Sequence, residues 1–598
     1  MLIEHSLTCL SSGELFSSPP MLRFRTAAEY CHQCNNKLRV LKTQTKTVYS
    51  MLTGKFVAHH TLLHCPQCND NHVYQSDDLH QIVAVGSNYA YNVIVHIGRA
   101  MFQQHRNVTE VQEDLNQRGI IISASEVSLL AKKFIIYLSI AHENIKDEIK
   151  NYFIGQGGYI LHLDGTTQGD SPHLISTIDQ LSKFVLGNIK VASEKSDLIE
   201  PLLRDLKENY ANPLAIVTDM GGAMLLAVKE VFPHVPNFIC HFHFLRDIGN
   251  DLLKNQYGLL RNALKKHGIT TALQYRKREL EKVQFHDYES IIAQITDTSK
   301  LSPPLDILTA NSICYTIIAW ILDGKKQGNG YGFPFDRILL IFYKRIVCAY
   351  RNVKLFVQSL DTHQQQKASK NLNKLVLALE NITTDSQLAA EMDVFEQHIS
   401  VFDNLRKALR IALPETKNGL NDQGIDTEIQ TIEKDVHEFV RKTISHENYQ
   451  DKTELQKMVG QIKKYNHKLF ADPITVNTQN GSIQIQPQRT NNIMEQFFRE
   501  FRRKHRRASG DDAINKKLQA MLADTLLIKN LENKEYMKIL LQNKTSLEQL
   551  FATIEIKQIR QRWNEINQEK KKIPTKIKST IKQDHFWNVL NLHKSYSN

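Results

Sequence analysis

The sequence predicts an α/β protein: a mixed-sheet core interrupted by a large all-α insertion and preceded by a small cysteine-rich β-domain and a trihelical unit. Three observations predict it. Two CxxC pairs stand near the N-terminus, short apolar segments alternate with amphipathic helical ones between about 156 and 245, and from about 245 to 470 apolar residues recur at helical spacing. Hydrophobic residues at 41% and charged residues at 23% are ordinary globular usage, which excludes a disordered or fibrous chain. The 598 residues leave room for several domains, which the pattern divides at 1–83, 84–150, 151–250, 251–470, 471–530 and 531–598.

The first of these regions carries Cys31 and Cys34 in YCHQC, then Cys65 and Cys68 in HCPQC. Two thiolates of one turn grip a tetrahedral zinc ion and a second pair closes the site. RVLKTQTKTVYSML and KFVAHHTLLH between them read as β-segments, so 1–83 reads as a zinc ribbon. The alternatives are two unrelated surface turns or a redox pair, and a redox pair needs only one CxxC. Eight cysteines in the whole chain are too few for a disulfide scaffold, and Cys9 has no partner at a useful spacing.

Residues 84–150 read as three helices: YNVIVHIGRAMFQQ, NVTEVQEDLNQRG ending at Gly119, and SASEVSLLAKKFIIYL, with Ser123 and Glu126 as a capping box. Such a unit suits helix-turn-helix DNA binding, with Lys132 and Lys133 as phosphate contacts, although small trihelical bundles also serve other ends.

In 151–250, GYILHLDGT, HLISTIDQ and KFVLGNIKV read as strands, SEKSDLIEPLLRDLKENY as a helix, PLAIVTD as a strand, GGAMLLAVKEVF as a helix and NFICHF as a strand. Three strands, helix, strand, helix, strand is the order of an RNase H-like core, with the first three strands antiparallel and later ones joined by helical crossovers. In 251–470, the stripes Phe342, Ile346, Ala349, Val353, Phe356, Leu360 and Leu388, Met392, Phe395, Ile399, Phe402, Leu405 mark packing faces of helices. The Gly-rich stretch Asp323 to Asp336 is a loop with no nameable constellation. In 471–530, ITVNTQNGSIQI signals a hairpin turning at Asn480–Gly481, and RTNNIMEQFFREFRRKHRRASG an unusually basic helix. A Lys-rich helical tail with Lys570, Lys571 and Lys572 closes the chain.

Asp164 and Asp219 each end an apolar strand, where side chains of neighbouring strands converge, and two carboxylates there can hold Mg2+ or Mn2+. Glu495, just inside the basic helix, supplies a third. Two ions about 3.5 to 4 Å apart would then activate the nucleophile and stabilise the leaving oxygen of an in-line phosphodiester attack. Asp219 before Gly221 and Gly222 can equally cap a helix, Asp170 and Asp179 compete for the first role, and Glu500 for the third.

LHLDGTT around Asp164, IVTDMGGAMLLAVKEVFPHVPNFICHFHFLRDIG from Ile216 to Gly249, and TNNIMEQFFREFRRKHRRASG from Thr490 to Gly510 together resemble DDE transposases of the Mutator-like kind and related bacterial insertion-sequence enzymes. In that family a Cys-x-x-His element follows the second Asp by about twenty residues, a place that Cys240 and His243 fill, and two Asn precede the closing Glu. The resemblance implies an RNase H-like recombinase that cuts and joins DNA strands, with Asp164, Asp219 and Glu495 as metal ligands and an all-helical insertion before the last acid. It further implies His243 in a supporting role near the scissile phosphate and Cys240 in a structural one, with zinc between them as a minor alternative.

Lys plus Arg number 75 against 63 Asp plus Glu, leaving +12 and a pI of about 9.0, which favours a polyanionic partner. Double-stranded DNA fits, with Arg499, Arg502, Arg503, Lys504, Arg506 and Arg507 as phosphate contacts beside Glu495. A homodimer is expected, because two element ends must be held together. No membrane association and no nucleotide cofactor are expected: the apolar run Ile313 to Leu322 is short, and Gly54-Lys55 is followed by Phe56, with Tyr49 in place of the first Gly of a phosphate loop. HExxH and GxSxG are missing. No secretory signal is read in the first twenty residues, so a cytosolic protein is expected, and no nuclear targeting signal stands out beyond generic Lys runs, which favours a prokaryotic cytosol, at the nucleoid. A retired, non-catalytic DNA-binding protein and a structure-selective nuclease with the same core are the rival readings.

Overall fold

The computed structural model describes residues 18–68, 72–282, 289, 306–359, 369–413, 428–446, 450, 452–478 and 481–569. Of the residues singled out above, Cys9, Leu360, Asn480 and the lysine run 570–572 lie outside them.

The N-terminal sheet holds β1 (Met21–Arg25), β2 (Arg39–Ser50), β3 (Gly54–His64) and β4 (Val73–Tyr74), with β3 parallel to β1 and antiparallel to β2 and β4. Phe24, Val48, Phe56 and Ala58 alternate inward and pack on Leu79 of helix α1 (Asp78–Ile82). The trihelical segment follows as α2 (Tyr91–Gly98), extended by one π-helical turn (Arg99–Gln103), α3 (Val108–Gln117) and α4 (Ala124–Glu143). The complete capping box opens α3, where Asn107 and Glu110 exchange bonds of 2.9 Å. Ser123 caps α4 by accepting from the Glu126 N–H (3.2 Å), but Glu126 makes no return bond among the described residues, so the predicted box is only half formed.

The second half of α4 is buried on every side, from Phe134 to His142. Ser139 donates to Asp524 (2.6 Å), and His142 bonds Tyr536 (2.8 Å) and the Leu186 carbonyl (3.2 Å). The three helices accordingly have no separate core: their apolar residues join those of the central sheet and the C-terminal helices in one cluster.

After α5 (Lys146–Gly155) comes the central sheet: β5 (Ile160–Thr166), β6 (His173–Asp179), β7 (Val185–Val191), helix α6 (Ser196–Tyr210), β8 (Ala215–Thr218), helix α7 (Gly222–Val231) and β9 (Asn237–Ile239). The strands lie in the order β7-β6-β5-β8-β9, the first three antiparallel in sequence and β8 and β9 parallel to β5. The protein is thus mixed α/β with mixed sheets, as the alternating pattern predicts.

A second core forms among α8 (His241–Lys266), α9 (Ile269–Glu281), α10 (Ile307–Asp323), α11 (Ile338–Ser359), α12 (Lys370–Thr383), α13 (Ser386–Leu409), α14 (Ile429–Ile444) and α15 (Thr453–Leu469). The predicted stripes face into it, Phe342 to Val353 and Leu388 to Leu405, with Phe356 and Ile399 half-buried at its margin. The apolar run is longer than the sequence suggests: Ile307–Lys326 is long and apolar enough to cross a membrane by length and composition, while Ala310, Cys314, Ile318 and Ile321 are buried in the helical core. The Gly-rich loop is a buttress. Phe335 stacks on Phe242 (4.6 Å), Phe333 on Tyr257 (4.5 Å), and Pro334 fills the space over Gly249, where even a Cβ would lie 2.3 Å from it.

Hairpin β10 (Ile474–Thr478) and β11 (Gly481–Ile485) lays Val476 and Ile485 against Ile160, Ala215 and Val217. That docking returns the chain to the sheet immediately before α16 (Asn492–Ser509). Then come α17 (Asn515–Ala520), a 3-10 segment (Ala523–Glu532), α18 (Lys534–Leu541), α19 (Leu547–Ala552) and α20 (Ile556–Glu569). As far as 569, the expected basic tail is packed into the first core, with Tyr536, Leu540, Leu547 and Phe551 fully buried.

Candidate functional site

Two groups of residues stand out. In the first, Cys31, Cys34, Cys65 and Cys68, none in a disulfide, hold their sulfur atoms within 4.8 Å of one another. Cys31 and Cys68 are 3.7 Å apart and Cys34 and Cys65 3.4 Å. A tetrahedral ion with Zn–S bonds of about 2.3 Å spaces its sulfurs by about 3.8 Å, so the four thiols fit such an ion closely. The environment favours thiolate. The Tyr74 hydroxyl donates to Cys31 (3.3 Å) and leads the influences that bring that thiol down to about 6; the Asn36 backbone lowers Cys34. Cys68 is pushed up in turn, first by Cys34 and then by Cys31, as expected where a few protons are shared among four sulfurs.

The second group forms at the edge of the central sheet. β5 and β8 run parallel with Ile160 opposite Ala215, Leu161 opposite Ile216 and His162 opposite Val217, and Asp164 and Asp219 each follow two residues beyond the last of these pairs. Neighbouring strands are about 4.8 Å apart. Each Asp commits one oxygen locally: Asp164 Oδ1 accepts from the Gly165 N–H (2.7 Å) and Asp219 Oδ1 from the Gly221 N–H (3.0 Å). Asp219 therefore caps its turn while its charge acts on Asp164. Burial raises the Asp164 carboxyl well above its ordinary range, and the charges of Asp219, Glu495 and Glu194 raise it further against the opposing Gly165 bond. The charges of Asp219 and Glu495 are thus both felt at Asp164.

Glu495 reaches it through Asn491. Fully buried, this residue precedes α16, donates from Nδ2 to the Leu163 carbonyl (3.0 Å), bonds His162 Nδ1 through Oδ1 (2.8 Å) and donates its N–H to Cys240 Sγ (3.2 Å). Its carbonyl accepts from the Glu495 N–H (3.1 Å), which fixes Glu495 one turn into the helix. Cys240 donates its own N–H to the Thr218 carbonyl (2.8 Å), one residue before Asp219. His243, on the first turn of α8, places Nδ1 3.9 Å from Glu495 Oε1, and burial lowers its pKa. Burial pushes the Cys240 thiol up to about 12.

The competing acids are accounted for. Asp179 is fully buried and accepts from the Ile160 N–H (3.0 Å) and from both the N–H and hydroxyl of Ser182 (2.7 Å each), which makes it a hairpin former. Asp170 is exposed. Glu500 pairs with Lys504 (2.8 Å) and Lys529 (3.0 Å). Glu194 and Asp247, which the sequence does not signal, add two more acids: Glu194 influences Asp164, and Asp219 is among the charges that raise Asp247.

On α16, Glu495, Arg499, Arg502 and Arg506 follow i, i+4, i+7 and i+11, one helix face about 16 Å long. Arg502 donates to Thr166 Oγ1 at the end of β5 (3.0 Å), and Arg506 pairs with Asp512 (3.4 Å). Arg503 and Arg507 are exposed beside the stripe. Lys504 belongs to the opposite side, bonded to Glu500 (2.8 Å) and Glu532 (3.1 Å), so it differs from the predicted phosphate contacts. On α4, Lys132 is exposed while Lys133 lines a groove with Trp563 and Arg560 of α20. Comparison with protein-family models and with curated proteins finds no match.

Proposed function

We propose that the protein is a DNA transposase that cuts and rejoins strands at the ends of a mobile element by two-metal-ion chemistry, on an RNase H-like core. The observation that carries this reading is that the charges of Asp219 and of Glu495, which lies far along the chain in α16, both act on the buried Asp164 carboxyl. Like charges so placed repel unless a cation joins them, and an all-oxygen set suits Mg2+ or Mn2+. The sheet order, antiparallel then parallel with crossover helices, supports the same reading.

In this scheme the ions supply Lewis acidity and an activated nucleophile. Asp164 and Asp219 would hold one ion between them and Glu495 the other, with Asn491 fixing Glu495 against β5. The arginine stripe begins one turn from Glu495 and would draw the scissile strand along α16 by its phosphates. His243, beside Glu495, would accept or donate a hydrogen bond at the reacting phosphate. Zinc at the four cysteines would fold the N-terminal sheet, which together with α4 would grip duplex DNA, and two copies would hold the two ends.

The test is a plasmid carrying the coding sequence with its native flanks, incubated with protein and Mg2+ or Mn2+ and sequenced for excision and insertion junctions. Joined strands are expected from the unaltered protein and none from the triple variant Asp164→Asn, Asp219→Asn, Glu495→Gln. Breaks without joining would identify a nuclease, and equal behaviour of both proteins a DNA-binding protein that does not cut.

A further inference from the structure

We propose that Cys240, His243 and Glu495 form a second binding site for a thiophilic divalent cation of the zinc type, separate from the four-cysteine cluster. One sulfur, one ring nitrogen and one carboxylate oxygen of these residues all lie within 4.8 Å of one another. Ligand bonds of about 2.0 to 2.3 Å space tetrahedral donors by about 3.3 to 3.8 Å, so small side-chain rotations close the set.

The observation that points to a ligand is His243. Its Nδ1 is buried with no hydrogen-bond partner among the described residues, and it faces Glu495 Oε1 at 3.9 Å. A buried nitrogen without a partner is unfavourable, and a bound ion supplies the partner. The donor chemistry separates this site from its neighbour: sulfur, nitrogen and oxygen together select zinc-like ions, whereas Asp164 and Asp219 offer oxygen alone. Three protein ligands leave a fourth position open, as in zinc sites that also take water or a substrate atom. The frame is already built, since Cys240 and His243 share the first turn of α8 and the Asn491 N–H orients the sulfur (3.2 Å).

Glu495 belongs both to this site and to the proposed reaction centre, so an ion held here draws that carboxylate towards α8 and competes with the Asp pair for it. The test uses no DNA, and its outcome is independent of whether the protein cuts strands. Metal-stripped full-length protein is titrated with Co2+ and followed by native mass spectrometry and by thiolate-to-cobalt absorption. The expected result is one ion fewer per chain in His243→Ala than in the unaltered protein, with the same loss in Glu495→Ala. Cys240→Ser should also remove about one-fifth of the thiolate absorption, one sulfur beside the four of the N-terminal cluster. His243 is 23% exposed, so its alanine variant decides the matter if the buried Cys240 variant fails to fold. Equal ion counts in the unaltered protein and in His243→Ala overturn the proposal.

Discussion

The four-cysteine cluster and the acidic group draw their side chains from opposite extremes of chain separation. The cysteines span Cys31 to Cys68 and need only two turns and a local sheet. The acids span Asp164 to Glu495 and need the central sheet, the helical insertion and the returning hairpin all in place. A local site can be folded by its own ion; a dispersed one must be held by the protein before any ion arrives. In keeping with this, Cys31 and Cys34 are lowered towards thiolate in the first site, while burial and like charge make ionisation of Asp164 costly in the second.

Breaking the local site should have the largest effect. Chelation or Cys65→Ser should release the protection of amides around 31–74, on the order of 10 kcal/mol of metal-linked folding energy, with the central sheet unchanged. Hydrogen exchange resolved by region checks both halves, and loss of protection in the sheet as well would end the distinction between the two regions.

For the dispersed site, Asn491→Ala removes the partner of the buried His162 ring and of the Leu163 carbonyl, and should cost about 2 to 5 kcal/mol in thermal or denaturant unfolding. A cost below about 1 kcal/mol would mean that Asn491 does not hold the two segments together.

Asp164 sharpens the contrast through pH. Its folded pKa lies above the ordinary 3.8, so the folded form binds the proton more tightly than the unfolded form. Metal-free stability should therefore be greatest below that value, fall as pH rises towards the raised folded pKa, and level off beyond it. Asp164→Asn should raise the melting temperature at neutral pH, by about 2 to 4 °C per kcal/mol gained, and leave it unchanged at pH 3. Added Mg2+ should stabilise the unaltered protein and not this variant; an unaltered melting temperature at neutral pH would contradict the assignment.

The smallest effects distinguish the two faces of α16. Replacing Arg499, Arg502 and Arg506 by Ala should lower the slope of log binding constant against log salt for duplex DNA by about 0.9 per residue. Lys504→Ala should leave that slope alone and lower stability by about 0 to 1 kcal/mol. Equal slopes for both variants would mean that the stripe is not the phosphate-binding face.

Much of this was legible in the sequence wherever the signal is local. Paired CxxC motifs mark the thiol cluster, apolar runs mark the five strands of the central sheet, and 3-4 spacing marks the buried faces of α11 and α13. Strand-end Asp164 and Asp219 were legible as candidates, but the parallel pairing of β5 with β8 that makes them neighbours in the sheet is a property of the fold. Asp179 stands before a hairpin turn already in the sequence, and the fold shows its oxygens spent on Ser182 and Ile160. The burial of α4, the packing of 531–569 and the approach of Glu194 and Asp247 arise from segments distant in sequence, which carry no local mark. The separation of Lys504 from the arginine stripe was available from helical spacing alone.

The bonds of Asn491 also set a clock. His162 and Asn491 are 329 residues apart, and at about 5 to 20 residues per second a ribosome needs on the order of 20 to 60 seconds to travel between them. Throughout that interval the two aspartates can exist without the glutamate. The chain thus passes through its synthesis unable to complete its carboxylate group, and acquires it only when the last helices close the first core.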